Sequence, residues 1–335
     1  MMIQETLQQL MRGENLSQEC CRDMIDAILN PETPEVQIAA FLVLLRHKRE
    51  TAEELFAIIK SLQDKMMLVK TPHTVLDIVG TGGDGMHTVN ISTGSAMLAA
   101  ACGVKIAKHG NRAVSSLAGS ADVLEALGVN IQLSPEKIAN CIDTVGIGFC
   151  YSPNFHQATK TIRELRKTLG VPTTFNYIGP FLNPARASHL VLGVADPTLL
   201  STMADVLVLM KNKKSVLVHG AGMDEISCVG PTKIIEIDQG QKTEYMLDPK
   251  KLGLSYCTVE DLRGGDAKTN ANLLKNTLKG KKGPIADTLL LNAAVALYIY
   301  GISPTIDDAL TIAKENLSNG NALKLLNHWI EFSHD

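Results

Sequence analysis

Val75-Leu76-Asp77-Ile78-Val79 runs straight into Gly80-Thr81-Gly82-Gly83-Asp84-Gly85. A short apolar run bounded by turn residues predicts a buried strand, and the glycines after it let backbone N–H groups approach an anion that any Cβ would hold away. Similar β-rich runs recur at Val104–Ala107, Ile147–Tyr151, Leu190–Val194 and Ser215–His219, separated by helical stretches of about ten residues, which predicts a mostly parallel sheet. In such sheets ligands bind beyond the carboxyl ends of the strands, so the loops after these runs are where chemistry is expected. Upstream, the chain reads as helices only: Ile3–Met11, Ser17–Leu29, a third opened by Thr33 as N-cap with Pro34 at its first position, and a fourth whose Thr51 and Glu54 form a capping-box pattern ahead of Leu55, Ile58, Ile59 and Leu62. The fold class expected is α/β: a small N-terminal helical domain and a larger α/β domain around a mainly parallel sheet.

The remaining composition narrows function. At 335 residues, 45% apolar and 20% charged, the chain has material for a large core. Its net charge of −3 lacks the basic field that nucleic-acid coating requires, so any anion site must be local. Cys20, Cys21, Cys102, Cys141, Cys150, Cys228 and Cys257 show no metal or redox spacing, and the N-terminus has no secretory pattern, so a cytoplasmic setting is expected. The longest apolar stretches, Ile91–Val104 and Thr288–Ile302, are interrupted by polar or small residues, so no membrane anchor is expected. The Lys211, Lys213, Lys214 cluster reads as a solvated helix end.

Gly80, Gly82 and Gly85 match the spacing of a dinucleotide-binding loop, but Met86–Asn90 intervene before a helix expected near Thr93, and the second strand ends in Lys108 where a ribose-binding acid would stand. The nucleotide-hydrolase phosphate loop is also absent. Instead, Asn90-Ile91-Ser92-Thr93 sets an amide and two hydroxyls at a helix N-terminus, where free N–H groups and the dipole favour phosphate, although Ser92 or Thr93 also suits a plain N-cap. The segment Lys108-His109-Gly110-Asn111-Arg112-Ala113-Val114-Ser115-Ser116, with Ser120 opening the next helix, supplies point charge, a two-pronged guanidinium and hydroxyls for a polyphosphate. A flexible turn and an exposed basic loop are the plain alternatives.

In these loops the chain resembles the anthranilate phosphoribosyltransferases. The resemblance continues in order through Arg166-Lys167-Thr168-Leu169-Gly170, Phe175-Asn176-Tyr177-Ile178-Gly179-Pro180, Asn183-Pro184 and Gly222-Met223-Asp224-Glu225, over nearly the whole chain. It implies the nucleoside phosphorylase and phosphoribosyltransferase type of fold, with a helical domain over 1–70 plus about 163–185, and an α/β domain over 71–162 and 186–335. It implies that phosphoribosyl pyrophosphate is held by Gly80, Gly83, Asp84, Thr88, Asn90, Ile91, Ser92, Thr93, Lys108, His109, Gly110, Asn111, Arg112, Ala113, Val114, Ser115, Ser116 and Ser120. Anthranilate is implied at Gly80, Asn111, His156 and Arg166, and two Mg²⁺ ions at Ser92, Asp224 and Glu225, hard oxygen ligands of the kind Mg²⁺ shares with phosphates. A homodimer through the N-terminal helices is implied as well, with neither nucleic acid nor membrane as partner. No covalent nucleophile is expected, since an aromatic amine is neutral near pH 7 and catalysis rests on positioning and electrostatics.

Two departures touch the acceptor side. Leu169-Gly170-Val171-Pro172-Thr173 carries Pro172 where the family often has Arg, and Gln157 follows His156 where the family has Pro. Two other readings share part of the pattern. A pyrimidine nucleoside phosphorylase would act on thymidine or uridine with phosphate, and a non-catalytic nucleic-acid-binding relative would show salt-dependent binding.

Overall fold

The computed structural model describes residues 2–113, 117–156 and 161–335. Helices α1 (Met2–Met11), α2 (Gln18–Leu29), α3 (Glu35–Lys48) and α4 (Ala52–Asp64) come first. The Thr51 hydroxyl and the Glu54 side chain close the expected capping box on α4. Glu54 does more than cap: fully buried, it also accepts the Leu16 N–H at 2.7 Å and pairs with Lys48 at 2.8 Å, tying α4 to the end of α3 and to the connection between α1 and α2. The third helix corrects the sequence reading by one residue, for Pro34 is its N-cap and Glu35 its first residue.

The α/β part follows as β1 (Leu76–Gly80), α5 (Ile91–Ala101), β2 (Ile106–Gly110), α6 (Ser120–Leu127), α7 (Pro135–Thr144), β3 (Ile147–Tyr151), α8 (Ser152–Phe155), α9 (Thr161–Leu169), β4 (His189–Gly193), α10 (Leu200–Leu209), β5 (Lys214–Gly220), β6 (Thr232–Asp238), β7 (Gln241–Leu247), α11 (Ala267–Leu278), α12 (Pro284–Tyr300), α13 (Ile306–Ser318) and α14 (Asn321–His334). The strands form one sheet in the order β3-β2-β1-β4-β5-β6-β7. Pairs among β3, β2, β1, β4 and β5 are parallel, as expected, while β6 and β7 are antiparallel. The last two strands were not anticipated. They are joined by Gln239 and Gly240, both at positive φ (48° and 84°), the conformation that a two-residue hairpin needs. β7 is an exposed edge strand rich in polar residues, so it lacks the apolar signal used to find the others.

Strand order moves from β1 outward through β2 and β3, then returns to place β4 on the other side of β1, which opens a crevice at the carboxyl ends of β1 and β4. One core lies between the sheet and α5, α6, α11, α12 and α14. A second packs α1–α4 and α10 against the opposite sheet face, through Leu190, Leu192, Leu217 and Ile235. Lys214 is not at a helix end: it opens β5, with its ammonium 3.1 Å from Glu236, 3.5 Å from Asp238 and 3.8 Å from the centre of the Tyr298 ring. Among the described residues no helix is long and apolar enough to cross a membrane.

Candidate active site

The glycine loop owes its shape to backbone conformation. Gly82, Gly83 and Gly85 hold φ of 70°, 86° and 71°, a region that side-chain-bearing residues seldom adopt. Across from it, β5 ends in a tight reversal in which Gly220 and Met223 exchange backbone hydrogen bonds at 3.1 and 3.0 Å around Ala221 and Gly222, both at positive φ (54° and 83°). This reversal pushes Asp224 into the crevice. A Cβ on Gly80 would stand 2.2 Å from Asp224 Oδ2, and one on Gly193 1.6 Å from the Asp224 carbonyl oxygen, so the ends of β1 and β4 must both be glycine to admit it. The Gly82 N–H donates to Asp224 Oδ2 at 2.6 Å, joining the two loops.

Electrostatics mark this corner. Burial, aided by the Asp84 charge, pushes the Asp224 carboxyl up to about 7. Burial and Asp224 raise Glu225 well above the usual carboxylate range. Glu225 accepts the Ser92 N–H at 3.3 Å, so it is this carboxylate that meets the N-terminus of α5, and the expected metal residues Ser92, Asp224 and Glu225 adjoin one another. Neither Ser92 nor Thr93 caps the helix; Asn90 stands at that position. Among the described residues no three His, Cys, Asp or Glu side chains form a ready cation cage. A buried and a half-buried carboxylate whose negative charge is disfavoured do fit a dication that takes its other ligands from hydroxyls, water and phosphate.

Lys108 comes from the neighbouring strand. β1 and β2 keep a single ladder pair, Leu76 with Ile106, and then splay around buried polar groups. Within the gap the Asp77 carboxylate accepts the His109 N–H at 3.3 Å and the Asn183 side-chain amide at 2.7 Å, while Asn183 also donates to the Ala107 carbonyl at 2.7 Å. Lys108 points inward and donates to the Ile78 carbonyl at 2.8 Å, beneath the start of the glycine loop. Burial draws its pKa down, opposed by Asp77 and Glu225. Burial likewise lifts Asp77 to about 6 against the pull of Lys108.

Other expected phosphate ligands are distributed unevenly. Asn90 donates to the Ala118 carbonyl at 3.0 Å and accepts from Asn270 at 2.8 Å, which locks the entry to α5 against the loop before α6 and against α11. Thr88 pairs with Arg263 across an isolated bridge. Asp84 accepts the Met86 N–H at 3.1 Å, and the Ser120 hydroxyl donates to the Asn111 carbonyl at 3.4 Å. Ile91 and Thr93 are buried. Arg112 is turned toward protein: its guanidinium donates to Tyr151 OH at 3.2 Å and to Asp122 and Glu125 at 2.9 and 2.5 Å, and the Ala113 N–H goes to Asp122 at 2.9 Å. Val114, Ser115 and Ser116 lie outside the described residues. Asp77, Asn183 and Asn270 were not singled out as site residues in the sequence. Asn183 stood in a recognised segment, but Asn270 is an ordinary helix residue with no local signal.

The rings of His109, expected at phosphoribosyl pyrophosphate, and His156, expected at anthranilate, meet edge to face, 5.3 Å apart. Burial depresses His109 to about 3 and His156 to about 4, so both are neutral at pH 7. Asn111 turns its side-chain oxygen to the Arg112 N–H at 2.8 Å. Arg166, on α9, donates to Asn176 at 3.2 Å and stands 5.8 Å from the centre of the Phe175 ring. Gln157 lies outside the described residues. A surface cavity of about 740 Å³ lined by His189, Lys214, Tyr298 and Tyr300 opens where β4 and β5 begin, at the far end of the sheet from these loops.

Two family models match the chain: a glycosyl transferase family helical bundle domain over residues 4–66 and a glycosyl transferase family a/b domain over 72–323. The anthranilate phosphoribosyltransferase of Chlamydia felis is 44% identical over 333 residues, covering 99% of this chain and 97% of the relative. The crystal structure of the Thermus thermophilus anthranilate phosphoribosyltransferase is similar with a TM-score of 0.92 at 38% identity, covering 98% of this chain and 99% of that one. The Saccharomyces cerevisiae enzyme, in a complex with phosphoribosyl pyrophosphate and Mg, is similar with a TM-score of 0.90 at 28% identity, covering 99% of this chain and 98% of that one. With both domains matched and full-length relatives at this identity, the chain belongs to the anthranilate phosphoribosyltransferase family.

Proposed function

We infer that this chain transfers the phosphoribosyl group of phosphoribosyl pyrophosphate to the amine of anthranilate, giving N-(5'-phosphoribosyl)anthranilate and pyrophosphate, in tryptophan biosynthesis. The observation that carries the reading is the corner where the glycine loop, the buried Asp224, the half-buried Glu225 and the N-terminus of α5 meet at the carboxyl edge of the sheet. In our reading Gly80, Gly83, Asp84, Thr88, Asn90–Thr93, Lys108–Ser116 and Ser120 surround phosphoribosyl pyrophosphate, largely through backbone N–H groups. Arg112 acts there through its backbone, because its guanidinium already serves Asp122, Glu125 and Tyr151. Gly80, Asn111, His156 and Arg166 face anthranilate.

Ser92, Asp224 and Glu225 are the metal residues, and we propose two Mg²⁺ ions, which neutralise the departing pyrophosphate when bound. The protein's own part is positioning and electrostatics. Lys108, held under the glycine loop, adds a buried positive charge near the anion; the neutral His109 and His156 leave the acceptor amine uncharged; and Arg166 aligns the acceptor carboxylate. The S. cerevisiae relative in complex with 4-fluoroanthranilate is 28% identical, which supports an aromatic acceptor here. We also propose a cytoplasmic homodimer formed through the N-terminal helices, and a helical unit of residues 1–70 with about 163–185. Ile162, Tyr177, Ile178 and Phe181 pack into the core of α1–α4, in support of that division. Loss of anthranilate fluorescence that requires enzyme, phosphoribosyl pyrophosphate and Mg²⁺ together is the expected result. Turnover of thymidine or uridine with phosphate, or salt-dependent nucleic-acid binding without transfer, would overturn it.

A further inference from the structure

Arg166 carries a donor that no described residue satisfies. Its Nε is buried with no hydrogen-bond partner among the described residues, so the guanidinium has an N–H still to be satisfied. Its Nη2, by contrast, is engaged by the side-chain oxygen of Asn176 at 3.2 Å. That oxygen is itself fixed, since it accepts the Thr173 N–H at 2.9 Å and the Thr173 hydroxyl at 3.2 Å. Three donors on one carboxamide oxygen leave the Asn176 side chain little rotational freedom. The short turn that carries it is anchored two residues earlier, where the buried Thr174 hydroxyl donates to the buried Glu50 carboxylate. Arg46 of α3 lies 3.4 Å from the same carboxylate and stacks over Tyr177 at 5.4 Å from the ring centre, so the turn is clamped to the helical unit on both sides of Asn176.

We propose that Asn176 is a positioning residue for the acceptor, its side-chain oxygen holding the Arg166 guanidinium so that the remaining fork is presented to the anthranilate carboxylate. This rests on Arg166 being the acceptor arginine. A neutral amide suits the task better than an acid. It orients the guanidinium through one lone pair yet leaves its charge for the ligand, whereas a carboxylate in that position would pair with the arginine and repel the substrate. Pre-setting the fork removes part of the side-chain entropy that an arginine otherwise loses when it binds.

The test is a double-mutant cycle on the full-length protein, with KM and direct calorimetric binding measured for each substrate. Asn176→Ala is expected to weaken anthranilate binding about fivefold to tenfold, less than two decades because the contact faces solvent, with phosphoribosyl pyrophosphate moved by less than about twofold. In the Arg166→Ala background the same change is expected to have no further effect, since its target is gone. Asn176→Asp preserves the acceptor oxygen for Thr173 and so the turn; it is expected still to weaken anthranilate. Recovery of wild-type anthranilate affinity in Asn176→Asp would make the residue a turn-former only and overturn the proposal, as would additive losses in the double variant. An Arg166→Ala variant with unchanged anthranilate affinity would instead remove the acceptor arginine itself, and the proposal with it.

Discussion

Gly80→Ala isolates the corner on which the functional reading stands. Gly80 does not have the left-handed backbone that alanine avoids, so the only conflict is space. The new methyl would lie 2.2 Å from Asp224 Oδ2 and 2.8 Å from its Cγ, where ordinary contact begins at 3.4 Å. The carboxylate must therefore retreat by about 1 Å, which is feasible because a side chain and not a backbone is in the way. That retreat breaks the 2.6 Å bond from the Gly82 N–H, a hydrogen bond to a charged group worth roughly 1.5 to 3 kcal/mol. Mg²⁺ demands near-ideal octahedral geometry at about 2.0 to 2.1 Å, so a ligand displaced by about 1 Å no longer serves. We expect the Mg²⁺ concentration for half-maximal rate to rise about 10- to 150-fold, from the same energy at about 1.4 kcal/mol per decade. Anthranilate fluorescence loss, followed over a Mg²⁺ titration at saturating substrates, measures this, with a thermal melt to verify folding. Gly193→Ala is the contrast: its methyl would strike the Asp224 backbone oxygen at 1.6 Å, so the reversal itself must move and soluble folded protein should fall. A folded Gly80→Ala enzyme with wild-type Mg²⁺ dependence would refute the assignment of Asp224 to the metal.

Three further outcomes are expected. Arg166→Ala should weaken apparent anthranilate affinity by about 10- to 150-fold while changing phosphoribosyl pyrophosphate far less; equal losses in both would make it a phosphate or structural residue. Because Asp224 titrates at about 7, a proton competes with the metal below that value, and Mg²⁺ affinity should fall by up to about tenfold per pH unit on going from pH 7 to 6, a dependence absent if calorimetry gives the same affinity at pH 6 and 8. His109 and His156 are held neutral, at about 3 and about 4, whereas the unfolded rings take protons near 6.5. Their contribution to stability is thus complete above the unfolded value and is lost as pH falls below it, by up to about 1.4 kcal/mol per unit per ring. Urea unfolding at pH 7, 6 and 5 should give a pH slope that changes in His109→Gln/His156→Gln; an identical slope would show that the rings are not buried in solution.

The shape of the glycine loop and the helical start were legible in the sequence because their determinants are local. Glycine tolerates positive φ wherever it stands, Thr51 and Glu54 cap a helix from three residues apart, and an apolar run announces a buried strand. The β6–β7 hairpin escaped because an edge strand has one face and one side in water, so Gln241–Leu247 keeps little apolar alternation. The choice among possible ligands was tertiary. Nothing beside Arg112 in the sequence reveals that Asp122, Glu125 and Tyr151 take its guanidinium, nor does anything beside Lys108 reveal that β1 and β2 part to bury it against Ile78. Asp224 and Glu225 read equally well as a solvated turn; what sets Asp224 apart is burial between two strand ends that lack a Cβ, and burial is a property of the folded chain, set by segments distant in sequence such as Gly82 and Asp224.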